Sequence, residues 1–263
     1  MNTANTKKIS APGLLRQMKA EKQKLSGRHM LLIPLSFLFF LFVYSWWYLG
    51  NAKPEELANG YLMSVYQLTF LNEILVPLMV TVLASRICDM EIKGDTLKLL
   101  YTLQPRKTLY RCKYLTGLFY LLIFSAGECL LMLFMGKVFH FGAAPLLRQF
   151  VYFFISTFAV SSALLAFQQM LSMLSSNQVL PLAAGIAGSF LGLFSIFFPP
   201  AVTKLVLWGY YSVLCTVRSD WDKNTRISYF FERDFSLSVF AVVLIVCAAL
   251  YLAGQTLLAK KEV

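Results

Sequence analysis

Residues 149–203 read QFVYFFISTFAVSSALLAFQQMLSMLSSNQVLPLAAGIAGSFLGLFSIFFPPAVT and contain no Lys, Arg, Asp or Glu. Roughly 20 apolar residues cross a bilayer core, so this run is too long for a single crossing. The polar Ser175–Gln178, followed by Pro181, divides it into spans at about 149–174 and 179–199. Working outward, apolar runs of similar length occur at about 30–50, 57–85, 114–136 and 235–259. The chain therefore reads as an all-α integral membrane protein with six transmembrane helices.

Composition agrees. Of 263 residues, 58% are hydrophobic, 15% aromatic and only 14% charged, which excludes an ordinary soluble domain. The first span ends in Trp46, Trp47 and Tyr48, residues that settle at a membrane–water interface. It is longer than the apolar part of a cleaved signal and no small-x-small site follows, so it is expected to be a retained anchor.

The net charge of +11 would suggest nucleic acid in a soluble protein, but its distribution explains it otherwise. With the N-terminus in the cytoplasm, sixteen Lys and Arg fall on the inner side. Eight fall outside: Lys53, Lys137, Arg148, Lys204, Arg218, Lys223, Arg226 and Arg233. Basic residues are retained on the cytoplasmic side, so the expectation is a multi-pass plasma-membrane protein, bacterial, with both termini inside and no nucleic-acid partner. Five cysteines, only Cys215 of them near the outer side, imply no disulfide framework.

On this topology the chain divides into a polar tail (1–12), an interfacial helix (13–28), one six-helix domain (29–259) and a short inner tail (260–263). Within 13–28, Leu14, Leu15, Met18 and Leu25 alternate with Arg16, Lys19, Lys22 and Lys24, the mixture of a basic amphipathic helix in the headgroup layer; a solvated basic lead-in is the alternative. The external segment 200–234 begins with the uncharged 205–217, too short to cross and suited to a re-entrant or interfacial element around Trp208, Tyr210 and Tyr211. Its second half carries both signs of charge and is expected to be solvated. Ala184, Gly188 and Gly192 recur at four-residue spacing, presenting one helical face for close packing.

The inner loop 88–112, between spans two and three, carries more than topology-setting charge. Asp95 can cap a helix, and Thr96, Leu97, Leu99, Leu100 and Leu103 supply an apolar face. Pro105 stops that helix and opens the next, which runs into span three. An apolar face at a membrane surface needs a partner to cover it.

These residues resemble those of the permease subunits of type-2 ABC exporters, whose first cytoplasmic loop carries an acidic residue, Gly, Thr-Leu, apolar positions, Pro, a basic residue and Lys. Here they are Glu91, Gly94, Thr96-Leu97, Leu100, Pro105-Arg106 and Lys113. Asp95 stands between Gly94 and Thr96, where many relatives have Gly and Thr adjacent. The resemblance extends over almost the whole chain. It implies the type-2 ABC exporter permease fold and a coupling helix that docks on a separate ATP-binding subunit, present in two copies, with a second permease, identical or homologous. The short six-span form is most similar to the branch that protects bacteria from lantibiotics and related antimicrobial peptides. The chain has no phosphate-cradling loop: before Gly136-Lys137, Leu131 stands where the first Gly would be. No cofactor is expected on this chain, and ATP and magnesium are expected on the partner.

Two carboxyl groups fall inside spans, Glu73 and Glu128. Intramembrane carboxylates are functional candidates by default. They could line a substrate path, or be neutral acids hydrogen-bonded to Gln67, Asn72, Gln168 or Gln169; the second is favoured because no other motif points to the same site. A proton-coupled carrier using them as relays is the alternative function. An intramembrane enzyme is disfavoured, since His29 and His140 both fall at span ends and no His-Glu-x-x-His occurs. Pro34 and Pro77 are expected to start or kink their helices.

Overall fold

The computed structural model describes residues 14–93, 105–175, 177–195, 197–223 and 226–260. The coupling-loop residues Gly94, Asp95, Thr96, Leu97 and Leu100 lie outside the described residues, as do residues 1–13 and 261–263.

The elements in order are α1 (Leu14–Leu25), α2 (Leu32–Gly50), the short α3 (Pro54–Leu57), α4 (Gly60–Lys93), α5 (Arg106–Val138), α6 (Leu147–Leu174) and α7 (Val179–Ser195). After α7 come the single turns α8 (Pro200–Thr203), a 3-10 turn (Leu207–Gly209) and α9 (Tyr210–Val213), then strands β1 (Val217–Asp222) and β2 (Ile227–Glu232), and α10 (Leu237–Lys260). Five helices, α2, α4, α5, α6 and α10, are long and apolar enough to cross a membrane; α7, at 17 residues, is a shorter apolar helix. Helices prevail because hydrocarbon offers backbone groups no partner except one another.

Helix α6 is the centre of the bundle, packed against α4, α5 and α10. Its small residues Ala159, Ala163 and Ala166 are buried with Val160 and Leu164, allowing neighbours to approach closely. The outer helices α2 and α10 instead turn large apolar side chains outward, Phe39 and Ile245 among them at 67% exposure each. That surface would be untenable in water and suits lipid.

Pro34 lies in the first turn of α2, where its missing N–H is not needed. Pro77 lies inside α4 and cannot donate to the carbonyl of Glu73, four residues earlier. One turn on, the Thr81 hydroxyl donates to Pro77 O at 2.7 Å. The two histidines at span ends are turn residues: His29 and His140 both take φ of 50°, the left-handed conformation that reverses the chain after α1 and α5.

The charged segment after Val217, expected to be solvated, has regular structure: β1 and β2 form an antiparallel hairpin, in register from Val217 opposite Glu232 to Asp222 opposite Ile227. It packs down through Phe230, which meets Tyr66 of α4 with ring centroids 5.8 Å apart. Three links tie it to other elements of the same end of the bundle. The Ser228 N–H donates to Glu56 Oε1 at 3.1 Å, Lys53 Nζ donates to Arg226 O at 3.0 Å, and Arg148 pairs with Glu232.

Candidate functional site

At the opposite end of the bundle the two feet of the loop come together on the N-terminal helix. Positions 17, 21 and 24–25 share one face of α1, and Gln17, Glu21 and Leu25 are buried there. Glu91 stands in the last turn of α4 and Lys113 two turns into α5. Lys113 is fully buried, donates to Ile87 O at 2.7 Å, lies 2.5 Å from Glu91 Oε2 and 3.7 Å from Glu21 Oε2. Lys24 Nζ completes the cluster, 2.8 Å from Glu21 Oε1 and 3.3 Å from Glu91 Oε1. Two carboxylates and two ammonium groups leave it neutral, which is what permits burial. Burial works against the Lys24 charge, but hydrogen bonds and attraction from Glu21 and Glu91 outweigh it and hold the ammonium above the ordinary lysine range.

Arg106 is also turned inward. Its Nη1 donates to Ala259 O at 3.1 Å, in the last turn of α10, where a cation also meets the negative end of the helix dipole. Pro105 begins α5 in an extended conformation, φ −61° and ψ 135°. Of the loop residues singled out in the sequence, Glu91, Arg106 and Lys113 therefore brace the base. Glu21 is the partner that the sequence reading overlooks. It is the one acidic residue before the first span, and a lone acid in a basic helix is the signal that could have found it.

Deeper in the bundle Glu73 on α4 and Glu128 on α5 are both fully buried. Glu73 Oε1 accepts the Ser212 N–H at 3.1 Å. The Asn72 amide faces the Glu128 carboxyl, and Tyr211, bonded to Ser161 Oγ at 3.0 Å, lies near both acids. Among the described residues, Glu73 Oε2, both Glu128 oxygens, both polar atoms of the Asn72 amide, Ser125 Oγ and Gln67 Nε2 make no hydrogen bond of good geometry. The partners expected from sequence are thus only partly those found. Gln169 donates to Tyr110 O at 2.8 Å, and the backbone of the segment after α7 supplies the bond to Glu73.

That segment packs against α4 and α7. Gly188 and Gly192 of α7 form its seat: a Cβ at Gly188 would stand 2.1 Å from the Trp208 ring, and one at Gly192 would stand 3.0 Å from Trp208 Cβ and 3.1 Å from the Glu73 carbonyl. The small-residue face, with half-buried Ala184 at its edge, thus receives Trp208 and the backbone of α4. The carbonyl it meets on α4 is the one that Pro77 leaves without its helical donor. Ser212, besides holding Glu73, lines an open cavity of about 1110 Å³ between α4 and the hairpin, with Tyr66, Phe70, Arg218 and Arg233 in its wall.

The geometry defines a multi-pass membrane protein with a buried ionic brace at one end, a packed segment after α7 and a cavity at the other, and carboxyl groups between. The sequence profile of the ABC-2 family transporter proteins matches residues 17–192, from the start of the ionic brace to the glycine seat. The chain belongs to that family and is a permease subunit of an ABC exporter, which works with an ATP-binding subunit. No match was found among curated proteins.

Proposed function

We propose that the chain is the membrane half of an ATP-driven exporter of amphipathic or hydrophobic substrates, antimicrobial peptides of the lantibiotic kind included. The end bearing α1 faces the bacterial cytoplasm, two ATP-binding subunits dock there on the loop between Glu91 and Lys113, and a second permease, identical or homologous, completes the pore. The observation that carries this reading is the neutral brace of Glu21, Lys24, Glu91 and Lys113. A loop whose two feet are locked to each other and to a surface helix passes a displacement at its tip to α4 and α5, instead of absorbing it. Closure of the nucleotide-binding subunits would then bias a two-state change in the bundle. ATP and magnesium belong to the partner, and this chain carries out no chemistry itself.

The deciding experiment co-expresses the chain with its ATP-binding subunit. Leu97→Glu and Leu100→Glu together are expected to abolish copurification while leaving the permease folded in the membrane. Intact assembly with unchanged ATP hydrolysis would overturn the docking assignment.

The unmatched oxygen atoms of Glu73 and Glu128 favour one second reading, a proton-coupled carrier. Uptake or efflux by the purified chain that follows a pH gradient without any ATPase would select it.

A further inference from the structure

Helix α1 has two working faces, and the ionic brace uses only one. On the other, a crevice of about 820 Å³ opens between α1, the turn leading to α2, and α5. Its lining combines the basic Lys19, Lys22 and His29 with the apolar Leu25, Met30, Leu31, Leu32 and Tyr120. Among the described residues no acidic side chain lines it: the acid of α1, Glu21, is on the opposite face, bonded to Lys24. Gln23 and Ser26 add hydrogen-bonding groups at the rim. Leu31 and Leu32 are exposed, at 48% and 60%, where the first apolar helix starts, so the apolar lining continues into the lipid-facing surface.

We infer that this crevice binds one anionic phospholipid, its phosphate beside Lys19 and Lys22 and its acyl chain along Leu31, Leu32 and Tyr120. A site lined by both basic and apolar side chains fits an anionic amphiphile, and it lies where an interfacial helix meets a span. Lysines at a membrane surface attract anionic headgroups strongly enough for two of them to discriminate. A free phosphate ion would use the basic side chains and leave the apolar ones idle. The inference does not depend on which substrate is exported or on the docking of an ATPase.

The test is native mass spectrometry of the full chain released from micelles containing equal phosphatidylglycerol and phosphatidylcholine. The wild type is expected to retain one phosphatidylglycerol per chain with a preference of about tenfold. In the Lys19→Gln, Lys22→Gln double variant the preference should fall to within about twofold, whereas Lys137→Gln, at the other end of the bundle, should retain it. Both lysines are exposed, and circular dichroism checks that the variant stays helical. Should the double variant misfold, loss of the wild-type preference as salt is raised is the substitute readout. Equal retention of both lipids by the wild type, an undiminished preference in the double variant, or displacement of the lipid by millimolar glycerol phosphate would each overturn the inference, the last by making the site one for free anions.

Discussion

Lys113 and Glu91, separated in sequence by the whole of the inner loop, meet at 2.5 Å with side-chain exposures of 0% and 2%. A buried pair of this kind is costly to form and more costly to break, because the surviving charge has no water to turn to.

Removal of one partner is therefore expected to destabilise strongly. Lys113→Met should cost about 3–5 kcal/mol, and Glu91→Gln, with Glu21 still 3.7 Å from the Lys113 ammonium, should cost less. The double substitution should cost less than the sum of the two. Thermal unfolding of the four proteins in one detergent gives this cycle directly; additive losses would show the pair to be uncoupled.

Lys24 gives a pH dependence. Its folded-state value is raised above 10.5 by the carboxylates of Glu21 and Glu91, so its contribution is complete below 10.5 and declines as pH rises through the folded-state value. The stability difference between wild type and Lys24→Gln should be constant from neutral pH to about 10 and shrink above it. A difference that shrank below pH 9 would contradict the assignment.

Gly188 and Gly192 should respond differently to an added methyl group. Gly188→Ala forces the Trp208 ring to move, since the new Cβ would stand 2.1 Å from it, and overpacking of this kind costs about 1–3 kcal/mol. Gly192→Ala meets its neighbours at 3.0–3.3 Å and should cost less. Trp208 emission, read with Trp46, Trp47 and Trp221 replaced by Phe, should shift in the first variant more than in the second.

At Glu73 the structural bond and the charge can be separated. Glu73→Gln keeps an oxygen for the Ser212 N–H and should preserve stability, whereas Glu73→Leu leaves that donor buried and unmatched, at about 1–3 kcal/mol. If Glu73→Gln also leaves transport and substrate-stimulated ATP hydrolysis in the assembled complex intact, the side chain serves as an acceptor alone.

Orientation is open to chemical labelling. In a cysteine-free background, Lys19→Cys should react with an impermeant thiol reagent only from the cytoplasmic side and Asp220→Cys, on the hairpin, only from outside. The reverse pattern would invert the proposed topology.

The bundle is legible in the sequence because hydrocarbon imposes one demand everywhere: long uncharged runs become helices and polar interruptions such as Ser175–Gln178 divide them. The site is less so. Lys113 and Glu91 can be picked out by resemblance, but nothing in their spacing says that they face each other, since the helices that join them converge only in three dimensions. Glu21 belongs to the same cluster through a contact with no local signature beyond its being a lone acid among lysines. The hairpin escapes because Val217–Asp222 mixes both charges with few apolar residues, leaving the aromatic run in Ile227–Glu232 as its trace. Trp208 reads as an interfacial aromatic, and only the packed structure shows that Gly188 and Gly192 exist to receive it.

The hairpin's links have a mechanical corollary. Because Ser228 is bonded to Glu56, Arg226 to Lys53 and Glu232 to Arg148, three stretches far apart in sequence are stapled into one plate over that end of the bundle. Any rearrangement that opens the bundle there must either unfasten these staples or tilt the plate as a single piece. A tilting plate would carry Arg218 and Arg233 with it, so the wall that they lend to the cavity beside Ser212 would move as one body with the hairpin.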